Sequence, residues 1–235
     1  MKSKMKIDFV SDVSCPWCVI GLKSLETALD RLGDQVAADI HFQPFELNPQ
    51  MPAEGQDLGE HLAQKYGSTP EQSQRNREAI RGRGAELGFT FSMANRSRIY
   101  NTFDAHRLLH WAETQAGPDS EVKEDALAGA DTEATGLQYA LKEALFKAYF
   151  TDGENPASHD LLVRIADEVG LNPQRAQEIL ASDEFASDVR EREKFYLGQG
   201  IHSVPAIIIN DRHLISGGQP AEVFEQALRK IAAES

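Results

Sequence analysis

The hydrophobic pattern in the first part of the chain predicts a β-α-β unit. Residues 6–13 (KIDFVSDV) alternate loosely between apolar and polar positions, which is typical of a strand. A helix is predicted next, because apolar side chains recur at helical spacing up to Gly33: Cys18, Leu22, Leu25 and Leu29. Residues 36–45 (VAADIHFQPF) then predict a second strand, which is followed by turn-prone residues 48–49 (NP).

The pattern from Met51 onward is helical for most of the middle of the chain. Thr69 and Gln72 have the spacing of a capping box, and this helix is predicted to run to Leu87. Residues 117–134, which are rich in Glu, Asp, Ala and Gly, are predicted to form a mobile acidic loop or a weak helix. Further helices are predicted at residues 99–112, from Leu137 to Gly153, at 161–169, from Asn172-Pro173 onward and at about 183–197.

Strands return after Gly200. Residues 206–209 (AIII) are the kind of β-branched run found in buried strands. Residues 210–211 supply a turn, and residues 213–216 (HLIS) predict a return strand. A last helix is predicted from near Pro220, so this end of the chain predicts a β-β-α unit.

The order of these elements predicts the domain organisation. A length of 235 residues allows one large domain or two small ones. We expect one α/β domain built from residues 1–50 and 195–235, and an inserted helical domain at residues 51–194.

Charge and composition narrow the class of partner. The formal net charge is −13, from 24 basic and 37 acidic residues, which argues against a nucleic acid or an anionic membrane. No apolar run is long enough to cross a bilayer. The basic residues 1–6 are followed by a predicted strand and not by the apolar stretch of a signal peptide, so we expect a cytoplasmic protein.

The candidate chemistry lies in the only two cysteines, Cys15 and Cys18, which stand at the predicted strand-to-helix turn. Pro16 fits the first helical turn, where its missing N–H costs nothing. A thiolate at a helix N-terminus faces the positive end of the helix dipole, so its pKa should fall. We therefore predict that Cys15 is the exposed attacking thiolate and that Cys18, one turn deeper, is the resolving thiol.

Two other uses of a close cysteine pair were weighed. A zinc site needs about four ligands, and neither a second cysteine pair nor a nearby pair of histidines accompanies Cys15 and Cys18. Haem attachment would require histidine after Cys18, where the chain has Val19. We therefore expect redox use of the pair, with no bound metal and no resident cofactor.

A second feature is the segment Ser203-Val204-Pro205, which stands directly before the strand at residues 206–209. Proline cannot donate to a sheet ladder, so it belongs at the first residue of a strand. A tight approach at such a place often uses a cis peptide bond, although a trans bond is the ordinary form and the residues alone leave both open.

Several stretches carry a resemblance to a known family: residues 9–18, 45–49, 101–102 with 105–108, 144–150 and 200–219. Together they resemble the thioredoxin fold, and the size of the helical block is similar to that of the DsbA family. More narrowly, the chain is similar to the FrnE-like and 2-hydroxychromene-2-carboxylate isomerase branch of that family. The fold class that this implies is α/β, a thioredoxin-like fold with a large all-helical insertion.

The resemblance also implies a substrate site. By that analogy the loop at Pro205 is a cis-proline loop that faces the cysteines and keeps metal from claiming both thiolates. Val204 would offer its backbone groups to an extended substrate peptide. We expect Trp17 to be an exposed apolar contact for the substrate. His202 is a candidate for contacting substrate or a thiolate, although a solvated loop histidine is the ordinary interpretation.

The expected function is thiol–disulfide exchange, as an oxidase or isomerase, on protein or peptide thiols. Family members that work as isomerases or kappa-class glutathione transferases use serine to orient glutathione, whereas this chain has Cys15 at that position. That departure favours redox exchange, and a glutathione-dependent isomerase or transferase that acts on a small aromatic substrate, with glutathione as co-substrate, is the alternative enzyme hypothesis. A non-catalytic peptide-binding or chaperone module is the alternative from another class, and the sequence leaves the oligomeric state open.

Overall fold

The structure is a computed structural model that describes residues 3–92, 97–115 and 136–234. The predicted acidic segment at residues 117–134 lies outside the described residues.

The first elements form the predicted β-α-β unit. Strand β1 (Ser3–Ser11) leads into helix α1 (Pro16–Leu32). A short 3-10 turn (Gly33–Gln35) then leads to strand β2 (Val36–Pro44). Strands β1 and β2 are parallel, with Ile7 opposite Ile40. A parallel pair requires a crossover connection, and α1 provides it.

The middle of the chain is mainly helical. The elements in chain order are β3 (Gln56–Asp57), α2 (Leu58–Tyr66), α3 (Pro70–Glu86), β4 (Arg98–Ile99), α4 (Phe103–Thr114), α5 (Leu137–Lys147), a π-helical turn (Ala148–Asp152), α6 (His159–Glu168), α7 (Pro173–Leu180) and α8 (Ala186–Gly198). Strands β3 and β4 pair in antiparallel fashion. The prediction of an all-helical block is therefore wrong at this place.

The last part of the chain completes the main sheet. It contains β5 (Ala206–Ile209), β6 (His213–Ser216) and helix α9 (Ala221–Glu234). The strand order is β2-β1-β5-β6, with β5 antiparallel to both β1 and β6. The chain therefore has the α/β class and the thioredoxin-like fold with a helical insertion that the sequence predicted. The exact division at residues 50 and 195 stays a prediction.

Two helix starts illustrate what the local pattern predicts well and badly. The capping box at Thr69 and Gln72 is present, with the hydroxyl and the amide oxygen each accepting from the other residue's backbone N–H. In contrast, α4 begins at Phe103 and not at Ile99. Ile99 is held in β4 by its pairing with Gln56, and the start of α4 is displaced because of this long-range contact.

Two apolar cores meet at the start of α1. One fills the space between the sheet, α1 and α9 and includes Phe9, Cys18 and Phe224. The other lies among α4, α5, α6 and α7, and Val13 belongs to it although it precedes α1. The connection between β1 and α1 is therefore held by the helical block on one side and by the sheet on the other.

The helical block also covers one edge of the main sheet. Gln138 on α5 accepts a hydrogen bond from the backbone N–H of Phe42 in β2 (2.9 Å) and donates to the Phe42 carbonyl (3.0 Å). The same side-chain nitrogen donates to the carbonyl of Leu109 in α4 at 3.2 Å. One buried side chain thus acts as a partner for β2, which is an edge strand of the sheet formed by the described residues.

Among the residues that the structure describes, no helix has the length and apolar character needed to cross a bilayer.

Candidate active site

The two cysteines lie where the sequence pattern predicted, at the N-terminus of α1. Cys15 is the N-cap residue, with the extended backbone (φ −92°, ψ 113°) that a cap requires, and Pro16 occupies the first helical turn. The Cys15 amide donates to the Asp12 carbonyl at 3.2 Å, and the Cys18 amide donates to the Cys15 carbonyl at 3.1 Å. Both sulfurs are thus fixed at the positive end of the helix.

A loop from the other end of the sheet faces this turn. The peptide bond between Val204 and Pro205 is cis. The Cys15 thiol donates a long hydrogen bond to the Val204 carbonyl, with 3.7 Å between Sγ and oxygen. The Pro205 carbonyl in turn accepts a hydrogen bond of 2.8 Å from the Gly217 amide. The structure therefore brings Cys15, Cys18, Val204 and Pro205 together.

Two glycines allow this close approach, a role that cannot be recognised from the sequence pattern. A Cβ on Gly21 of α1 would lie 3.0 Å from the Pro205 ring. A Cβ on Gly218 would lie 2.8 Å from the Trp17 carbonyl oxygen, closer than ordinary contacts allow. The side-chain position of Gly218 is thus filled by the first turn of α1.

The prediction that Cys15 is exposed is wrong. Its exposed fraction is 4%, and that of Cys18 is 0%. The burial of Cys15 has a plain cause, because the Val204 carbonyl lies over its sulfur. The relative order is as expected, since Cys18 is the deeper of the two thiols.

The two thiols differ sharply in acidity. The hydrogen bond from the Cys18 thiol lowers the pKa of Cys15, and the backbone amides of Cys18 and Trp17 assist while burial opposes them. Burial raises the pKa of Cys18 well above its ordinary value, and the hydrogen bond and charge of Cys15 raise it further. Cys15 is thus the better thiolate and Cys18 the thiol that donates to it.

A buried carboxylate, that of Asp12, holds the turn before α1 through hydrogen bonds. Asp12 accepts hydrogen bonds from the Ser14 amide (3.0 Å) and the Leu47 amide (2.7 Å), and His106 Nε2 lies 3.8 Å from it. Burial raises the pKa of Asp12, but His106 and the two amides outweigh that effect and bring it to about 2. Asp12 is therefore a carboxylate at neutral pH, and its charge raises the pKa of Cys15. His106 is buried, as expected of a core histidine.

A buried lysine lies on the inner side of the pair. Lys142 on α5 has an exposed fraction of 0%, and its charge lowers the pKa of Cys18. Sequence inspection missed both Asp12 and Lys142. An acidic residue between a strand and a cysteine pair is a visible signal, whereas a lysine inside a helix ordinarily lies on the solvated face.

The rim of the site carries exposed aromatic side chains. Trp17 is 42% exposed, as predicted, and Tyr66 at the end of α2 is 58% exposed. Burial raises the pKa of Tyr66, and the charges of Cys15 and Asp12 raise it further, which places Tyr66 on the site side of its helix. The sequence did not single out Tyr66, because helix α2 reaches the site only in the folded chain.

The segment after β2 and the loop before Pro205 flank the site. Lys65 donates hydrogen bonds to the Leu47 carbonyl (2.6 Å) and to Asn48 Oδ1 (2.8 Å), which joins the end of α2 to the segment after β2. The side chain of His202 is exposed and has no hydrogen bond or ion pair to other described residues. Within the described ranges, no group of three His, Cys, Asp or Glu side chains is placed to hold a metal ion.

The sheet order, the cysteine pair at the start of α1 and the facing proline loop define a thioredoxin-fold protein with the site of a thiol oxidoreductase or isomerase. The family model of the DSBA-like thioredoxin domain matches residues 6–130 and 125–229. The chain therefore belongs to the DSBA-like thioredoxin domain family.

Solved structures agree with this family. A probable DsbA oxidoreductase from Streptomyces coelicolor is 29% identical, with a TM-score of 0.84 over 98% of this chain and 91% of that one. The structure of 2-hydroxychromene-2-carboxylate isomerase is 13% identical, with a TM-score of 0.66 over 97% of each chain. The cytosolic disulfide reductase DsbM from Pseudomonas aeruginosa, solved with GSH, is 15% identical, with a TM-score of 0.60 over 96% of this chain and 98% of that one. The last two likenesses are likenesses of fold.

Proposed function

We propose that the protein catalyses thiol–disulfide exchange on protein or peptide substrates through Cys15 and Cys18. The observation that carries the proposal is the arrangement of the two sulfurs. Cys15 caps a helix N-terminus and accepts a hydrogen bond from Cys18, which lowers the pKa of Cys15 and leaves Cys18 as a thiol within reach of it. An attacking thiolate beside a resolving thiol is what exchange requires.

The exchange proceeds through a mixed disulfide. The Cys15 thiolate attacks one sulfur of a substrate disulfide, and the other substrate sulfur leaves as a thiolate. Cys18 then attacks Cys15, the bond between Cys15 and the substrate breaks, and the second substrate sulfur leaves with that electron pair. Two electrons thus pass from the cysteine pair to the substrate, and the reverse sequence oxidises a substrate dithiol.

The substrate is held by the rim and the facing loop. Trp17 and Tyr66 offer exposed aromatic surface beside Cys15. The Val204 carbonyl lies 3.7 Å from the Cys15 sulfur, so a peptide that pairs with the Val204 backbone would bring its own sulfur to Cys15. Pro205 fixes the position of that carbonyl. His202 is exposed three residues before Pro205, and it is a further candidate contact for the substrate.

Cysteine variants test the function. We expect the wild-type protein to catalyse reduction of insulin by a thiol reductant, and Cys15→Ser to lower the rate to that of the reductant alone. Cys18→Ser should lose turnover and accumulate a mixed disulfide at Cys15, which mass spectrometry detects. Wild-type activity in the Cys15→Ser variant would contradict the proposal.

The same variants address a non-catalytic chaperone or peptide-binding module. If the wild-type protein and Cys15→Ser prevent aggregation equally well, and neither exchanges disulfides, the binding function is correct and the redox function is wrong.

A glutathione-dependent isomerase or transferase is the second candidate. Two observations favour it: the fold is shared with 2-hydroxychromene-2-carboxylate isomerase and with a disulfide reductase solved with GSH. Conjugation or isomerisation of a small aromatic substrate needs only one group to orient glutathione, so it should survive Cys18→Ser. Exchange requires both sulfurs, so loss of activity in Cys18→Ser supports the redox function.

We also propose that the protein works in the cytoplasm, with glutathione as a source or acceptor of electrons. The shared fold with a cytosolic disulfide reductase supports this. A redox titration in glutathione buffers tests the partner: the Cys15–Cys18 couple should equilibrate with glutathione in the wild-type protein but not in Cys18→Ser.

A further inference from the structure

Lys142 occupies a position that a lysine rarely occupies. Its exposed fraction is 0%, and Nζ has no hydrogen-bond partner among the residues that the structure describes. Nζ lies 4.9 Å from the centre of the Phe146 ring and 5.6 Å from that of Phe42. Aromatic faces attract a cation, but they do not replace the hydrogen bonds that water would give it. A buried ammonium group in this place is costly unless a negative charge faces it.

The negative charges that face Lys142 belong to the active site. Burial lowers the pKa of Lys142 to about 8, and the charges of Cys18, Asp12 and Cys15, in that order, act against the decrease. The interaction is mutual, because Lys142 lowers the pKa of Cys18. The geometry agrees, because Cys18 belongs to the same apolar core as Phe42 and Phe146, the two rings that Nζ faces.

Other ionisable groups on elements packed against α5 have partners of their own. They are His106 on α4 with Asp12, His41 on β2 with Asp39 and Glu113, Lys23 and Glu26 on α1 with Glu143 and Tyr139, and Glu168 on α6 with Arg164.

We propose that Lys142 is a positioning residue for the exchange reaction, in which its ammonium group is the electrostatic partner of the Cys18 thiolate. The inference rests on the proposed function and goes beyond it, because it explains how a thiol as buried as Cys18 becomes ionised. A thiolate in an apolar core is strongly disfavoured by lost hydration, and a facing cation offsets part of that cost.

The step that Lys142 assists is the resolution of the mixed disulfide. Cys18 loses its proton to solvent, and the thiolate forms beside the ammonium group. Its electron pair makes the bond to Cys15, while the bond between Cys15 and the substrate breaks and leaves its electron pair on the substrate sulfur, which takes a proton from solvent. Below its pKa of about 8, Lys142 keeps its proton during this step. In the oxidative direction Cys18 leaves as the thiolate and meets the same cation.

The first experiment isolates Cys18 in a Cys15→Ser background. Its thiolate is followed by ultraviolet absorbance as a function of pH, with and without Lys142→Met, which keeps the length of the side chain and removes the charge. We expect the pKa of Cys18 to rise by about one unit in Lys142→Met, which is about tenfold less thiolate at a given pH. In the protein that keeps Cys15, the rate at which Cys18 resolves the mixed disulfide rises with pH. Lys142→Met should move this rise to higher pH by the same amount.

Lys147→Met is the matched control. Lys147 lies on the same helix, and its side chain is 66% exposed and paired with Asp152. Its charge is screened by water, so the pKa of Cys18 should not change. An unchanged Cys18 pKa in a folded Lys142→Met protein would overturn the inference.

A second measurement needs no change at Lys142 and decides the matter if Lys142→Met does not fold. The titration of the Lys142 amine is followed by nitrogen NMR in the reduced and in the oxidised wild-type protein. Oxidation leaves neither cysteine able to ionise, so the Lys142 pKa should be lower in the oxidised form, and equal values would refute the coupling. The Cys18 and Lys142 titrations do not require turnover, so they test this inference even if insulin reduction fails and the proposed function is wrong.

Discussion

Asp12 has two opposing effects on the site: its hydrogen bonds hold the active-site turn in place, and its charge makes Cys15 less acidic. Its carboxylate accepts the Ser14 and Leu47 amides, so it joins the turn before α1 to the segment after β2. The same negative charge raises the pKa of Cys15 and so opposes its ionisation. Asp12 therefore supports the geometry of the thiolate at some cost to its acidity.

Asp12→Asn should separate these two effects. An amide presents one acceptor oxygen where the carboxylate presents two, so one buried N–H loses its partner at a cost of about 1–3 kcal/mol in unfolding free energy. The lost negative charge should lower the pKa of Cys15. Urea unfolding and a thiolate titration measure the two changes.

The pH dependence of stability gives a check on Asp12→Asn. The folded-state pKa of Asp12 is about 2, below the ordinary value of 3.8. Its stabilising contribution is therefore fully present above pH 3.8 and is lost as the pH falls through about 2. The wild-type protein should lose more stability over this range than Asp12→Asn. The exposed Asp30→Asn on α1 is the control and should follow the wild type.

At the scale of elements, sequence reasoning succeeded where the determining contacts are local. The capping box of α3 depends on residues three apart, and it was predicted from them. The start of α4 was misplaced because Ile99 pairs with Gln56, far away in the chain. The position of Gly218 against α1 was likewise invisible, since it depends on two elements that meet only in the folded state.

Gly218→Ala should displace the first turn of α1, which carries the cysteines, although Gly218 lies on another segment. The added methyl would lie 2.8 Å from the Trp17 carbonyl oxygen, so the first turn of α1 must move away. We expect a loss of about 1–3 kcal/mol in unfolding free energy from overpacking. The exchange rate should fall by about tenfold or more, because small displacements of reacting groups are costly.

Gly82→Ala on α3 is the control for Gly218→Ala. A Cβ there would meet nothing within 4 Å, so alanine should stabilise the helix by about 0.5–1 kcal/mol and leave exchange unchanged. If Gly218→Ala behaved like Gly82→Ala, the close packing of α1 against this loop would have no role in the site.

At the scale of the whole molecule, the helical block stabilises the sheet and the active-site turn by direct contacts. Gln138 supplies hydrogen bonds to the edge strand β2, and Val13 anchors the active-site turn in the helical core. The class of fold was predictable because the cysteine motif, the proline segment and the order of elements are all visible in the sequence. Lys142 and Tyr66 were not, because their closeness to Cys15 and Cys18 depends on how the helical block packs.

Gln138→Leu should weaken the whole molecule and not only α5. The substitution keeps the side chain's bulk but leaves the Phe42 N–H and carbonyl buried without a partner. Each lost partner costs about 1–3 kcal/mol, so the unfolding free energy should fall by several kcal/mol in total, as measured by urea denaturation. Gln74→Leu, on the exposed face of α3, should change stability by less than about 0.5 kcal/mol. Equal effects of the two substitutions would contradict this role of Gln138.

The pairing of β1 with β5 has a consequence for biosynthesis. Ile7 lies opposite Ile209, so β1 can pair with β2 early but acquires its second neighbour only after translation has passed residue 209. The helical block ends at Gly198, shortly before that point. The cysteines therefore emerge early from the ribosome, but they acquire the loop that covers Cys15 only late. The nascent chain therefore carries Cys15 without its covering loop for most of its synthesis.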